Sequence, residues 1–204
     1  MWSAVKSPLL MGNDIDSLSA RDLSILINPA VIAVSQDPAG SSAVRVWRYY
    51  VNETDQYGQG EISMWSGSLF DGDQLVVLLN ARNSSRMMNT TAAEIFTDAG
   101  GAISTEAQES WTIHDLWADR MPVDVAQSII DGNATANSNV SSYYYNATAT
   151  SYADGLSANS TLLLGKAVGT LAAGGTIETE VPRHGVAMMR LRLNLSTKRK
   201  RDEL

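Results

Sequence analysis

The pattern of apolar and polar positions changes near residue 40. Before that point it predicts a helix over residues 1–6, a short buried strand at Leu9-Leu10-Met11 and a helix over residues 19–28. Ser7-Pro8 ends the first helix, because a residue that precedes proline is disfavoured in the α region. A wholly apolar run of strand length is typical of a strand buried on both faces of a parallel sheet. We therefore expect the start of the chain to have an α/β structure.

Beyond residue 40 the spacing becomes that of strands. Segments rich in β-branched and aromatic residues alternate with Gly-, Asp- and Asn-rich turns, and they cover residues 44–50, 61–65, 74–80, 111–117, 161–164, 176–181 and 186–193. Many short strands separated by such turns are typical of an antiparallel β-sandwich. Gln36-Asp-Pro-Ala-Gly40 is the turn that leads into it, since Pro fixes φ and Gly accepts positive φ. We therefore divide the chain into an α/β portion at 1–40, an antiparallel β-sandwich at 41–197 and a basic tail at 198–204.

Composition excludes several classes of partner. The chain has 204 residues, of which 44% are hydrophobic, enough for a sizeable core. Its apolar runs, such as residues 75–79, are far shorter than the roughly 18 residues that a membrane-spanning helix needs. Because nucleic acid and anionic lipid repel a protein with a net charge of −7, we expect neither nucleic acid nor a membrane as a partner. The sequence predicts no particular oligomeric state.

Eight Asn-x-Ser/Thr sequons indicate passage through the secretory pathway. Random placement of the same residues gives only about two. The sequons lie at Asn52, Asn83, Asn89, Asn133, Asn139, Asn146, Asn159 and Asn194. Four of the eight fall within residues 133–161, a Ser-, Thr- and Asn-rich segment that we expect to be a long glycosylated loop. We therefore expect a secreted glycoprotein.

The two ends of the sequence provide information about cellular localisation and processing. Met1-Trp-Ser-Ala lacks the charged and apolar regions of a signal peptide, so we expect the sequence to be a fragment or an incomplete gene model. At the other end, Arg201-Asp-Glu-Leu204 is close to the Lys-Asp-Glu-Leu signal for retrieval to the endoplasmic reticulum. Lys198-Arg-Lys-Arg201 also has the sequence of a basic processing site, so retrieval and cleavage both stay open.

Two motifs near the start and several in the strand region resemble one enzyme family. Lys6-Ser-Pro-Leu-Leu-Met-Gly-Asn-Asp-Ile15 is similar to the last barrel strand, and the turn after it, of glycoside hydrolase family 27, the fungal α-galactosidases. Ile32-Ala-Val-Ser-Gln-Asp-Pro-Ala-Gly40 resembles the family's Asn-Gln-Asp-Pro-x-Gly segment, with Ser35 in place of the usual Asn. The order and spacing of the motifs make the resemblance specific, and it continues through residues 43–48, 60–65, 73–80 and 181–186.

The resemblance implies a (β/α)8 TIM barrel followed by an antiparallel β-sandwich C-terminal domain. It also implies a retaining glycoside hydrolase that removes terminal α-linked galactose from oligosaccharides such as melibiose and raffinose, without a metal or redox cofactor. The family's nucleophile lies in a Lys-Tyr-Asp context and its acid/base in an Arg-x-x-Asp context, both upstream of the strand that residues 9–11 match. Because this sequence begins after both positions, we expect the chain alone to contain no catalytic residue and to be inactive.

Several acids follow strands or lie in turns. By the resemblance, Gly12, Asn13 and Asp14 lie near the catalytic face of a complete barrel. We interpret Asp14 as a turn or cap residue, because an Asp before a helix commonly accepts hydrogen bonds from unpaired backbone N–H groups. Asp71 and Asp73 have the same interpretation in a hairpin turn.

Candidate metal ligands are few. The chain has no cysteine, and His114 and His184 are 70 residues apart. No pair of these residues has the spacing of metal ligands, so we expect no metal and no cofactor. We interpret both histidines as hydrogen-bonding residues at strand ends.

The aromatic residues leave an alternative function open. If Trp65, Trp117 and the run Tyr143-Tyr144-Tyr145 are exposed, they could form the platform of a noncatalytic carbohydrate-binding or interaction β-domain. If they are buried, they belong to the core. Three adjacent tyrosines cannot all point the same way on one strand, which favours a loop packed on the sandwich.

Overall fold

Two antiparallel β-sheets form the centre of the fold. The computed structural model describes residues 1–194 apart from 53, 55, 56, 59, 99 and 133–138. The strands in this part are β1 (Val44–Tyr50), β2 (Glu61–Ser68), β3 (Gln74–Asn80), β4 (Arg86–Thr91), β5 (Trp111–Asp115), β6 (Lys166–Leu171), β7 (Thr176–Val181) and β8 (Gly185–Leu193). The larger sheet has six strands in the order β1-β2-β3-β8-β5-β6, and the smaller sheet pairs β4 with β7. All neighbours are antiparallel, so the predicted antiparallel β-sandwich is confirmed.

The core is divided between the two faces of the larger sheet, because successive residues of a strand point to opposite faces. The face towards the smaller sheet holds an apolar cluster that includes Ile62, Met64, Val76, Leu78, Met88, Trp111, Ile177, Met189 and Leu191. The opposite face holds a second cluster that includes Ala30, Val34, Leu75, Val77, Leu116 and Met188. Since Val76, Val77 and Leu78 are all fully buried, β3 is covered on both faces.

Short helices precede and interrupt the strands. They are α1 (Ala20–Leu26), α2 (Pro29–Ser35), α3 (Ala92–Ile95), α4 (Val123–Ile130), α5 (Tyr152–Ser157) and α6 (Thr161–Leu164). Within the helix predicted over residues 19–28, α1 begins at Ala20, and the side chain of its N-cap Ser19 accepts a hydrogen bond from the Asp22 N–H. Asn28 follows α1 and caps α2, with Pro29 in the first helical position. No helix in the described part of the chain is long and apolar enough to cross a membrane.

Specific contacts attach the residues before β1 to the rest of the chain. Asn28 Nδ2 donates to Leu116 O at 2.9 Å. The Ala43 N–H donates to Ala4 O, also at 2.9 Å. Helices α1 and α4 share an apolar cluster that includes Ala20, Val125 and Ala126. The helices of the first forty residues therefore lie on the sandwich.

The strand predicted at Leu9-Leu10-Met11 does not form. These residues have no regular secondary structure, and Leu10 is 74% exposed. A strand in a parallel sheet needs neighbouring strands to pair its backbone groups, and none of the described strands lies beside this segment. Residues 1–6 form turns rather than a helix. The predicted helix-strand-helix end of a TIM barrel is therefore not observed, and the fold of the described chain is that of the antiparallel sandwich.

Three strand predictions need correction. The segment Thr161–Leu164 forms the helix α6 rather than a strand, because its four residues are too few to show a period. Leu163 and Leu164 pack there against Ala33 and Leu156. The sequence did not predict β4 and β6. Five of the six residues of β6 are exposed, so it lacks the alternation of apolar and polar residues that marks a half-buried strand.

The described part of the Ser-, Thr- and Asn-rich segment is not one long loop. Residues 139–161 contain a 3-10 turn (Val140–Tyr143) and the helix α5, in which Leu156 is fully buried. Asn133 lies outside the described residues. The basic tail at 198–204, with its Arg201-Asp-Glu-Leu204 terminus, lies outside them as well.

Candidate functional site

Asp14 has the turn role that the sequence predicts. Gly12, Asn13 and Asp14 are exposed. Asp14 Oδ1 accepts the Asp16 N–H at 3.1 Å, and its Oδ2 accepts the Ser17 hydroxyl at 3.0 Å. Both carboxylate oxygens are therefore used within the turn before α1. The position of these three residues near a catalytic face stays a prediction.

Asp71 and Asp73 both follow β2, but only Asp71 is mainly a turn residue. Asp71 has a φ of 61° inside the 3-10 turn Phe70–Gly72. Asp73 is 2% exposed, and its carboxylate accepts from Arg190 Nε at 2.6 Å and from Arg192 Nε at 3.2 Å. The turn interpretation of Asp73 is wrong, because its side chain is a partner in a buried ion pair.

Asp73 belongs to a buried ion-pair network formed by Lys6, Asp37, Asp73, Arg190 and Arg192. Arg190 Nη2 lies 3.2 Å from Asp37 Oδ2, and Lys6 Nζ lies 3.5 Å from Asp37 Oδ1. The side chains of Asp37 and Arg190 are fully buried. Lys6 and Asp37 precede β1, whereas both arginines belong to β8. The network therefore joins Lys6 and Asp37 to the centre of the larger sheet.

Asp37 also organises the backbone around it. Its Oδ1 accepts the Ala39 N–H at 3.0 Å and the Phe70 N–H at 2.8 Å. The first bond belongs to the Gln36-Asp-Pro-Ala-Gly40 turn, as turn chemistry predicts. The second reaches the turn before β3, so one carboxylate links two turns that are distant in the sequence.

Burial and ion pairing act on Asp73 in opposite directions. Desolvation raises the pKa of Asp73, whereas the charges and hydrogen bonds of Arg190 and Arg192 lower it, and burial has the larger effect. Arg190 Nη1 is buried and has no hydrogen-bond partner among the described residues. A buried ion pair adds little over apolar packing of similar volume, but removal of one partner costs about 3–5 kcal/mol.

A polar cleft with a volume of about 450 Å³ opens beside this network, and we name it the Arg192 cleft. Arg192 Nη1 donates to Asn159 Oδ1 at 2.7 Å and to Leu156 O at 3.2 Å, and Nη2 lies 3.4 Å from Asp71 Oδ2. Other polar side chains of the lining come from β5, from α5 and from the end of β8, namely Thr112, His114, Ser157 and Asn194.

His114 lines the Arg192 cleft, and its Nδ1 lies 3.3 Å from Gly165 O. Burial lowers the pKa of His114; the bond to Gly165 opposes this effect, and the positive charge of Arg192 adds to it. The lowered pKa favours the neutral imidazole at pH 7. His184 lies elsewhere, in the turn between β7 and β8. Among the described residues, no three His, Asp or Glu side chains come together as metal ligands would.

The aromatic residues considered as a sugar platform pack largely in the core. Trp65 and Trp117 are half-buried against the apolar cluster that contains Leu75. Tyr143 contacts the cluster shared by α1 and α4, whereas the ring of Tyr145 lies 5.3 Å from that of Tyr152. Tyr144, between them, is 45% exposed. Tyr143 and Tyr145 therefore belong to different clusters, and the three adjacent tyrosines form no common platform.

Comparison with known proteins shows which enzymes the chain resembles, and over which part of their length. The family model Melibiase_C, described as "Alpha galactosidase C-terminal beta sandwich domain", matches residues 59–142. The chain is 50% identical over 192 residues to α-galactosidase 5 of Saccharomyces cerevisiae, and 47% identical over 192 residues to the α-galactosidase of Saccharomyces mikatae. The chain is homologous to the carboxy-terminal part of α-galactosidases. Each match covers 94% of this chain but 40% of the relative, so the chain spans about two fifths of the length of these α-galactosidases.

Structural comparison agrees with the α-galactosidase homology. The solved structure of the α-galactosidase from Saccharomyces cerevisiae with raffinose has a TM-score of 0.87 and 47% identity, covering 95% of this chain and 42% of that chain. α-Galactosidase I from Mortierella vinacea has a TM-score of 0.56 and 24% identity, over 93% of this chain and 33% of that chain, and shows the fold alone. The resemblance to family 27 α-galactosidases that the motifs indicated is therefore confirmed for their carboxy-terminal part.

Proposed function

We propose that this chain is the noncatalytic carboxy-terminal part of an α-galactosidase, a retaining glycoside hydrolase that removes terminal α-linked galactose. The observation that carries the proposal is its 50% identity, over 94% of its own length, to an α-galactosidase of which it covers 40%. The remaining part of such an enzyme supplies the catalytic carboxylates, and the sandwich packs beside it as a structural domain.

The carboxylates of the described chain support a noncatalytic role. A retaining glycosidase needs two carboxyl groups about 5–5.5 Å apart, one to attack and one to transfer the proton. Asp14 is engaged in a turn and Asp73 in ion pairs, and Asp115 Oδ1 accepts the Trp117 N–H at 2.8 Å. A carboxylate held between two guanidinium groups is poorly placed to attack a sugar or to receive a proton.

For the complete enzyme we propose α-galactosides of the melibiose and raffinose type as substrates. The relative whose structure was solved with raffinose supports this choice. The eight sequons support secretion, and those at Asn52, Asn83, Asn89, Asn139, Asn146 and Asn159 are exposed. Retrieval to the endoplasmic reticulum through the Arg201-Asp-Glu-Leu204 terminus is a separate proposal. Unchanged secretion after deletion of these four residues would dismiss retrieval.

Hydrolysis of a chromogenic α-galactoside by the purified 204-residue chain tests the noncatalytic role. A full-length α-galactosidase from Saccharomyces cerevisiae is the positive control. We expect no turnover above the buffer background, while the control hydrolyses the substrate. Turnover that survives repurification and is abolished by Asp14→Asn, but not by Asp16→Asn, would contradict the proposal and assign the chemistry to this chain.

A further inference from the structure

The Arg192 cleft has the size and lining of a site for a small polar ligand. Its volume of about 450 Å³ lies within the range of roughly 300–1,000 Å³ that is usual for ligand sites. The guanidinium group of Arg192 is held by Asp71, Asp73, Asn159 and the Leu156 carbonyl. Because these partners fix it before a ligand arrives, little side-chain entropy is lost on binding.

The balance of charge in the cleft favours a neutral ligand. Asp71 and Asp73 line the cleft and both contact Arg192, while Arg190, which is buried behind the lining, also contacts Asp73, so each carboxylate is paired with a guanidinium group. An anion would meet the two carboxylates, and a cation would meet the guanidinium group of Arg192. The imidazole, hydroxyl and amide groups of the lining provide both donors and acceptors. Sugar hydroxyl groups can also donate and accept, so a polyhydroxy ligand fits this lining.

Two of the sequon asparagines line this same cleft. Asn159 Oδ1 accepts from Arg192 Nη1 at 2.7 Å, which fixes the orientation of the amide. Asn194 Oδ1 accepts the Thr112 hydroxyl at 2.6 Å, and its Nδ2 donates to Ser110 Oγ at 2.8 Å. A glycan attached to either asparagine would begin at the cleft. Since both polar side-chain atoms of Asn194 are already bonded, Asn159 is the better attachment site.

We propose that the Arg192 cleft binds a neutral saccharide, which is either a free galactoside or the first sugars of a glycan on Asn159. The hydroxyl groups of the ligand contact His114, Thr112, Ser157 and the Asn159 amide. The sugar site of this chain is therefore a polar cleft between β5, β8 and α5 rather than an aromatic platform. This binding goes beyond the proposed function, because it requires no catalysis.

NMR spectroscopy of the histidine rings tests the proposal without any substitution. The chain has two histidines, and of these only His114 lines the cleft. Unglycosylated chain is titrated with melibiose, raffinose and N-acetylglucosamine to about 100 mM, because a small polar site is expected to bind with a dissociation constant on the order of millimolar. For a free saccharide, we expect the His114 resonances to shift and saturate while those of His184, the internal control, stay unchanged.

A second experiment uses the chain secreted from yeast, and it tests whether a glycan attached to Asn159 occupies the cleft. Thr161→Ala removes the sequon at Asn159 but keeps the asparagine side chain. Ser196→Ala does the same for the sequon at Asn194. If the glycan on Asn159 occupies the cleft, the His114 resonances of the secreted chain differ from those of the unglycosylated chain. This difference should disappear in Thr161→Ala and persist in Ser196→Ala.

The possible results distinguish a free saccharide from the glycan on Asn159, and they also show whether the cleft binds no sugar at all. Saturable shifts with added sugar assign a free saccharide, and a difference that depends on Thr161 assigns the glycan. The proposal is overturned if His114 responds to neither, or if His184 responds as strongly as His114. Turnover of the chromogenic substrate would contradict the proposed function and would leave this result unaffected.

Discussion

The segments Leu9-Leu10-Met11 and Val76-Val77-Leu78 have the same apolar character but opposite surroundings. The second is fully buried, because β2 and β8 pair with β3 on its two sides and apolar clusters cover both faces. Leu10 is 74% exposed, and none of the described strands pairs with its segment. A short apolar run therefore predicts burial only where the fold supplies its neighbours.

Polar contacts hold other parts of the first forty residues on the sandwich. Asp37 pairs with Arg190 of β8, and Asn28 donates to the Leu116 carbonyl. These contacts use single side chains and specific geometry, whereas β3 relies on area buried on both faces. Substitutions in the two regions should therefore change the free energy of unfolding by different amounts.

The largest effect is expected from Arg190→Leu. It leaves the buried carboxylates of Asp37 and Asp73 without their shared cation, which should cost about 3–5 kcal/mol in the free energy of unfolding. Urea denaturation of the purified chain measures this loss. Arg183→Leu is the control, since Arg183 is exposed in the turn before β8. Equal unfolding midpoints for the two variants would show that the network does not hold the segments together.

Truncation of one leucine in each region tests the comparison directly. Leu78→Ala should lower the free energy of unfolding by about 2–5 kcal/mol, because it opens a cavity in a fully buried cluster. Leu10→Ala should change it by no more than about 0.5 kcal/mol. A loss in Leu10→Ala comparable with that in Leu78→Ala, measured by the same urea denaturation, would mean that the exposed segment is buried in solution.

Loss of the α1 cap should have a smaller effect. Ser19 Oγ accepts the Asp22 N–H at 3.1 Å, and Ser19→Ala should cost about 1 kcal/mol. Thermal unfolding followed by circular dichroism provides the measurement. Ser17→Ala is matched in chemistry and removes only an exposed contact with Asp14. If both variants melt at the same temperature, the cap does not stabilise the helix.

His114→Gln should have the smallest effect, and only on the acid side of neutrality. Burial lowers the pKa of His114, so the unfolded chain, in which a His has a pKa of about 6.5, binds the proton more readily. Its contribution to stability is therefore present above about pH 6.5 and is lost as the pH falls through the lower pKa of the folded chain.

Urea denaturation at about pH 7.5 and about pH 5.5 measures this difference. The wild type should lose more stability on acidification than His114→Gln. The raised pKa of Asp73 has the opposite effect, because it stabilises the folded chain at low pH, but it does so in both proteins. A wild type and a His114→Gln variant with the same pH dependence would contradict the expected role of burial.

The strands that could be predicted are those whose own residues carry the signal. β3 and β7 have the predicted bounds, because each is a run rich in β-branched or apolar residues between turn residues. β6 gives no such signal, since its exposure removes the alternation. The segment at residues 9–11 has the apolar run of a buried strand but forms no strand, because strand pairing also depends on residues elsewhere in the fold.

The ion-pair network and the Arg192 cleft could not be predicted in the same way. Asp37 and Arg190 are 153 residues apart, and only the pairing of β3 with β8 brings Asp73 to the same place. One feature of the sequence indicated that a buried ion pair would form. Arg190 interrupts the apolar run of β8, and a charge inside a buried strand requires a partner of opposite charge. The identity of that partner depends on the fold.

The position of β8 beside β3 has a consequence for how the protein is made. Gln74 pairs with Leu191 and Asn80 with Gly185, so the centre of the larger sheet closes a very long loop. Sheets with such distant pairings fold slowly, because the entropy of closure is lost before the contacts form. On the ribosome, β1, β2 and β3 emerge well before β8, and the apolar edge of β3 stays open to other chains meanwhile. Newly made chains therefore need this edge shielded until synthesis reaches β8.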